Sequence, residues 1–419
     1  MKKKYIWIIA SLVIVLAAAG SIYAYIYNTA NKYSHAFYPN VKVEGKDLTN
    51  QTKKEAEKTL AGVTAKHDQN KITVNVQNQP FQTTLKNIGV QYDTDKILNA
   101  AYSYGKDKSL LDRYKLVKDA KGKEYSLSYT INEELLNKWI SGIEEQIKTQ
   151  PKNASIFIRN GNVSIKNDSK GQQINQEQLR KQLLAALNKN DKNDIAVKAE
   201  LKPIAAKITK EKLETVHNLI GTFTTHYTTG ASELNRNLNI KIAAQTIDSY
   251  LLMPGESFSF NKYVGDTTAD KGYKAAGTYV GGKVVDSYGG GVCQVSTTLY
   301  NAIIKAGIEP DVRSNHSMTV GYVPVGQDAA IAYPYKDLKF TNPYSFPVYI
   351  EGTVGPGTLT FNVYSSGKAK PEDIDYRLDS SVVSQTSGGT KSVTYLETIK
   401  NGKVAGRKVI SRDSYLAHK

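Results

Sequence analysis

The sequence predicts an α+β protein behind a single N-terminal transmembrane helix, and three observations carry that prediction. Residues 5 to 27 hold no charge and follow Lys2, Lys3 and Lys4. Between residues 28 and 208 a strand-turn-strand pattern leading into a helical one occurs twice, as an internal duplication would produce. Beyond residue 209, period-two and period-3.6 segments alternate around a glycine run. The expected organisation is a cytoplasmic tail at 1–4, a membrane anchor at 5–27, a duplicated hairpin-plus-helix domain at 28–208, a second α+β domain at 209–365 and a small β element at 366–419.

The anchor rests on length and charge. A bilayer-spanning helix needs about 20 apolar residues, and the run through Ile8, Leu12, Ile14, Leu16, Ile22 and Ile26 supplies them. Lysines ahead of the span favour a cytoplasmic N-terminus, so the rest of the chain is expected outside a cell membrane it crosses once. Ala17-Ala18-Ala19 leaves a cleaved signal peptide as the competing reading. Both readings export the chain. The exported part is strongly basic, because only three of the positives behind the net charge of +16 lie in the lysine run. Outside a bacterial membrane the polyanions on offer are teichoic acids and anionic lipid headgroups, whereas nucleic acid is not expected as a partner. The bland alternative is surface charge that only keeps the protein soluble.

In the duplicated domain, Val41 to Gly45 reads as a short strand, and Thr52-Lys53-Lys54-Glu55 is a capping box opening a helix that carries Ala56 and Leu60. Alternating Ile72, Val74 and Val76, a turn at Asn78-Gln79-Pro80 and a return through Phe81 and Leu85 form the first hairpin. Ile88 to Asp93 then leads into Ile97 and Leu98. Asn132 is placed to cap a helix carrying Leu135, Leu136, Trp139, Ile140 and Ile143. The second hairpin joins Ile156 and Ile158 to Val163 and Ile165 through Asn160-Gly161, followed by a helix with Leu179, Leu183, Leu184 and Leu187.

In the next domain Phe223, Thr225 and Tyr227 alternate as a strand, and Ile240, Ala243, Ala244, Ile247 and Leu251 recur at helical spacing up to Met253-Pro254-Gly255. The Gly- and Tyr-rich text from Asp266 to Gly291 reads as loops. It ends in Gly289-Gly290-Gly291, which feeds a helix with the apolar stripe Val295, Leu299, Ala302, Ile303 and Ala306 and the stop residue Gly307. Cys293, the chain's single cysteine, falls in that helix's first turn. Unpaired N–H groups and the helix dipole there stabilise a thiolate and can receive an oxyanion. His316 is the histidine closely downstream, on an expected strand, with Asp328 or Asp337 as the group to orient its ring. That order of parts is shared by papain-like and transglutaminase-like folds, an analogy only. Against chemistry stands the ordinary fate of a lone cysteine as a small buried hydrophobe. In a purely binding reading, Gly289, Gly290, Gly291, Gln294, Ser296, Thr297 and Arg313 would line a ligand pocket. No pair of metal ligands occurs at short spacing, so neither metal nor cofactor is expected.

Residues from Leu219 to about Phe361 resemble the VanW family. The resemblance is carried by Met253-Pro254-Gly255-Glu256-Ser257-Phe258-Ser259-Phe260-Asn261, Lys271-Gly272-Tyr273, the run from Gly289 to Asn301, His316-Ser317, Gly326-Gln327-Asp328-Ala329 and Asp337-Leu338-Lys339-Phe340-Thr341-Asn342. Phe37 to Gly45, the Thr52 helix start and Lys170 to Asn175 resemble the peptidoglycan-binding repeat found beside transpeptidase domains. Together the resemblances imply action at peptidoglycan, with a VanW domain at 209–365. Two functions of different class follow: Cys-dependent acyl transfer or amide hydrolysis, or a non-catalytic wall-binding or scaffold protein. The tail is expected to add a hairpin at Asn401-Gly402, between alternating Val393, Tyr395 and Glu397 and a return through Val404, Val409 and Ile410.

Overall fold

The computed structural model describes residues 2–189, 193–280 and 283–417. It divides into two compact units, Met1–Gln150 with Lys170–Ile204, and Pro151–Ser169 with Ala205–Lys419.

The first unit starts with the helix Lys2–Asn31, whose apolar side chains point outward on every side and bury nothing before Ala30. It is long and apolar enough to cross a bilayer, a property that a membrane anchor and an export signal share. Thr52 and Glu55 close the expected capping box on the helix Lys53–Asp68. Its Ala56 and Leu60 pack with Phe37, Val41 and Leu48 in a small core. A second core lies against a three-stranded sheet, in which Lys71–Val76 pairs antiparallel with Gln79–Thr84 and parallel with Ile195–Ala199. The helix Glu133–Ile147, capped by Asn132, gives this core Leu136, Ile140 and Ile143, and the helix Gln176–Lys189 gives it Leu179, Leu183 and Leu187.

The second hairpin departs from the expected duplication. Its strands Ser155–Arg159 and Asn162–Lys166 belong to the other unit, where Ile156 and Ile158 pack with Tyr349 and Tyr364 and the Ile158 N–H donates to the Tyr349 hydroxyl at 3.1 Å. The repeat of parts is therefore one of sequence pattern, and the two hairpins serve different cores. Alternation specifies a strand with one buried face, not which core will cover that face.

The second unit is built on a four-stranded antiparallel sheet, in the order Asn218–His226, Thr358–Ser365, Val348–Gly355, Tyr250–Leu252. Two helices pack on it, Leu234–Ile247 and Val292–Lys305. Leu251 is not on the first of them, contrary to its spacing. The helix stops at Asp248, Ser249 turns left-handed at φ +67°, and Leu251 continues into the strand paired with Tyr349. The second helix meets the sheet at Gly221, where an added Cβ would stand 2.5 Å from the Ala302 carbonyl oxygen. It ends as expected: Gly307 is left-handed at φ +78° and donates to the Ile304 carbonyl, while Ile308 donates to that of Ile303.

The stretch expected as loops instead contains an antiparallel ribbon, Ala275–Val280 with Lys283–Tyr288. Gly281 and Gly282, within that stretch, lie outside the described residues. The tail is larger than a hairpin. Ile374–Thr386, Gly389–Lys400 and Lys403–Leu416 form a three-stranded antiparallel sheet that turns at left-handed Asn401 and Gly402 and adds Leu396 to the unit's main core.

Candidate active site

Left-handed Gly289 and Gly291, at φ +81° and +102°, turn the chain from the ribbon into the helix Val292–Lys305. Gly290 lies so close to Ala276 that a Cβ would meet its carbonyl oxygen at 2.4 Å. Buried Asn239 locks this turn, its amide donating to the Gly290 and Lys274 carbonyls at 2.9 and 2.8 Å. The turn sets Cys293 as the second residue of the helix. Val292 and Gln294 donate back to the Gly289 and Gly291 carbonyls, but among the described residues nothing accepts from the Cys293 N–H.

Most of this helix is buried, and beyond its first turn its polar residues bond to neighbouring segments of the chain. Ser296 donates to the Ala329 carbonyl at 2.6 Å, and Thr297 accepts from the Ala329 N–H at 2.9 Å. Asn301 donates to the Gln327 carbonyl at 2.9 Å. These bonds hold the segment Gly326-Gln327-Asp328-Ala329 against the helix. Ser296 and Thr297, expected to line a pocket, thus seat Asp328 instead and do not line the cleft into which Cys293 opens.

Asp328 is the hub of the site. Its Oδ2 accepts from the backbone N–H of His316 at 2.7 Å and lies 2.6 Å from the ring Nδ1. Its Oδ1 accepts from the Tyr415 hydroxyl at 2.6 Å and from Arg313 at 3.1 Å. Arg313 is held in turn by both Asp413 oxygens at 2.7 Å. Arg313, expected as a ligand contact, is thus placed as a nearly buried cation behind Asp328 and does not line the cleft. His316 sits in an irregular segment after the short strand Pro310–Val312, not on a strand itself. Two bonds to one carboxylate fix it there instead. Asp337, the other candidate for orienting the ring, caps a turn elsewhere: it accepts from the Ser259 hydroxyl at 2.6 Å and the Asn261 N–H at 2.9 Å.

With Nδ1 on Asp328, the other edge of the ring is left for Cys293, which lines the same cleft and whose charge acts on the ring. The Sγ also lies 3.5 Å from the Ile331 carbonyl oxygen. Burial pushes the thiol pKa up, but the bond to His316 and its positive charge outweigh this and hold the thiol below its ordinary value. For His316, burial acts downward and is overcome by the bonds to Asp328 and Cys293, which raise its pKa to about 9. Burial raises Asp328, yet its bond to His316 and the charge of Arg313 keep the carboxyl below its usual range. All three shifts act in the direction that favours a thiolate, an imidazolium and a carboxylate side by side.

Cys293 and His316 open into a cleft of about 420 Å³, lined also by Gly289, Gly291 and Gln294 and by Thr278 and Val284 of the ribbon. Tyr322 forms part of the wall, and burial and the Cys293 charge push its phenol well above the usual range, so it stays a neutral O–H. Sequence reasoning missed Asn239, Tyr322, Asp413 and Tyr415. All four come from segments remote from Cys293 or from irregular chain, and no local pattern marks them. No group of three His, Cys, Asp or Glu side chains among the described residues is placed to hold a metal ion.

Residues 235–364 match the family described as "VanW like protein", and residues 81–196 match the one described as "Putative peptidoglycan binding domain". Over 237 residues the chain is 32% identical to uncharacterized protein YoaR of Bacillus subtilis, covering 56% of this chain and 76% of that protein. It is 34% identical to the vancomycin B-type resistance protein VanW of Enterococcus faecalis over 113 residues, which is 26% of this chain and 41% of that one. No solved structure matches the chain. The motifs that build the turn, the helix and the Asp328 seat all lie within the matched stretch, and the chain belongs to the VanW-like protein family, with a peptidoglycan-binding domain preceding its VanW region.

Proposed function

We propose that this is a membrane-anchored envelope protein of a Gram-positive-type cell that acts on a peptide amide of peptidoglycan through Cys293, by acyl transfer or hydrolysis. The N-terminal apolar helix supports the anchor, and the peptidoglycan-binding domain supports the location and the partner. A single observation carries the chemistry: a thiol on a helix N-terminus shares a cleft with a histidine that is itself bonded to a buried carboxylate.

The arrangement supports a definite sequence of steps. The Cys293 thiolate attacks the amide carbonyl carbon, forming an S–C bond and an oxyanion that the unpaired Cys293 N–H can receive. As the C–N bond breaks, the electron pair leaves with nitrogen, and His316 gives it a proton, releasing an amine and leaving a thioester on Cys293. A second amine, or water, then attacks the thioester, transfers its proton to His316 and expels the thiolate. Asp328 holds the ring through both steps.

Incubation of the protein with peptidoglycan fragments, followed by intact-protein mass spectrometry, tests this. The expected result is an acyl adduct on Cys293 that is absent from Cys293→Ser and from His316→Ala. No adduct on the wild type, together with full wall binding by a folded Cys293→Ala protein, would leave the non-catalytic binding reading in its place.

A further inference from the structure

We infer that the cleft selects substrates carrying free carboxylates, with Arg236 and Lys336 as the two residues that receive them. This rests on the catalytic reading for the identity of the ligand as a wall peptide, but not for the anion preference itself. Both cations line the cleft, and among the described residues no Asp or Glu lines it. Each is half-buried and is held only by a neutral oxygen among the described residues: Arg236 donates to the Gln294 side chain at 2.7 Å, and Lys336 to the Asn315 carbonyl at 2.9 Å.

Their placement is specific. Gln294 follows Cys293 and Asn315 precedes His316, so one cation is tied beside the nucleophile and the other beside its base. The Gln294 amide donates to the Thr225 hydroxyl and the His226 carbonyl, which fixes its oxygen toward Arg236. The Arg236 stem crosses the glycine turn, where a Cβ on Gly291 would stand 2.8 Å from its Cγ. A guanidinium positioned this way keeps donors for a planar acceptor such as a carboxylate. With only neutral oxygens as hydrogen-bond partners, the two cations can each gain a charge-assisted bond from an anionic ligand. Val284, Val320 and Ile331 give the remaining wall an apolar character that suits a peptide better than a phosphate polymer.

The test uses the full chain as the Cys293→Ala variant, so that binding is measured without turnover. Calorimetry compares a synthetic wall stem peptide bearing free carboxylates, the same peptide fully amidated, and inorganic phosphate as competitor. The free acid is expected to bind about tenfold or more tightly than the amide, and Lys336→Gln and Arg236→Gln are each expected to remove most of that preference. Lys336→Gln leaves the glycine turn untouched, so the inference remains testable if Arg236→Gln unsettles the fold. Equal affinity for the two peptides, a preference unchanged in both variants, or displacement by phosphate at concentrations below those of the free acid would overturn it. A carboxylate preference in a protein whose wild type forms no thioester would sustain this inference while removing the catalytic one.

Discussion

At the scale of single residues, the site depends on a few buried groups. His316 must keep its proton to serve as acid for the leaving amine, and Cys293 must have lost its own. Activity is therefore expected to rise as pH passes upward through the lowered thiol pKa and to fall as pH rises through about 9, where His316 deprotonates. A pH–rate profile checks this, and a plateau extending well beyond pH 9 would contradict it. Arg313 is a second point of dependence, because it neutralises both Asp328 and Asp413 in a buried setting. Arg313→Ala strands two carboxylates and is expected to cost about 3–5 kcal/mol of stability, measured by denaturant unfolding. The pair Cys293 and His316, which the structure brings to one cleft, could be picked out as candidates from the sequence, because a glycine run ahead of a lone cysteine and a nearby histidine leave local marks. The choice between Asp328 and Asp337 could not, since both follow His316 and only the three-dimensional path decides which carboxyl reaches the ring.

At the scale of elements, the helix Val292–Lys305 is the part on which the site stands, and Gly221 sets how closely it approaches the sheet. An alanine there would place a Cβ within 2.5 Å of two helix backbone atoms, so Gly221→Ala is expected to cost about 1–3 kcal/mol by forcing the helix outward. Thermal unfolding measures it, and an unchanged transition would show that the interface yields freely. The start, stripe and stop of this helix were legible because glycines and 3.6 periodicity are local signals. Burial of its polar residues was not, since Ser296, Thr297 and Asn301 find their partners more than twenty residues away. The ribbon Ala275–Val280 with Lys283–Tyr288 was hidden for a similar reason. Its Lys283–Tyr288 strand is exposed along its length and lacks the one-sided apolar alternation by which strands are recognised.

At the scale of the whole molecule, the tail sheet is part of the candidate site and not an appendage. Asp413 and Tyr415 reach Arg313 and Asp328 from its last strand, and removing residues 367–419 is expected to abolish the cooperative unfolding of the second unit. The basic charge also acts at this scale: binding to isolated walls is expected to weaken as salt is raised to about 0.5 M. Equal binding at low and high salt would remove the electrostatic contribution. All three scales meet in the activation of Cys293, which the rate of its alkylation by iodoacetamide in the native full-length protein measures most directly. The thiolate pair predicts reaction at neutral pH about tenfold or more faster than an ordinary thiol, reduced to the ordinary rate in a folded His316→Ala variant. A Cys293 that stays unmodified until the protein unfolds, or that reacts equally fast without His316, would contradict it.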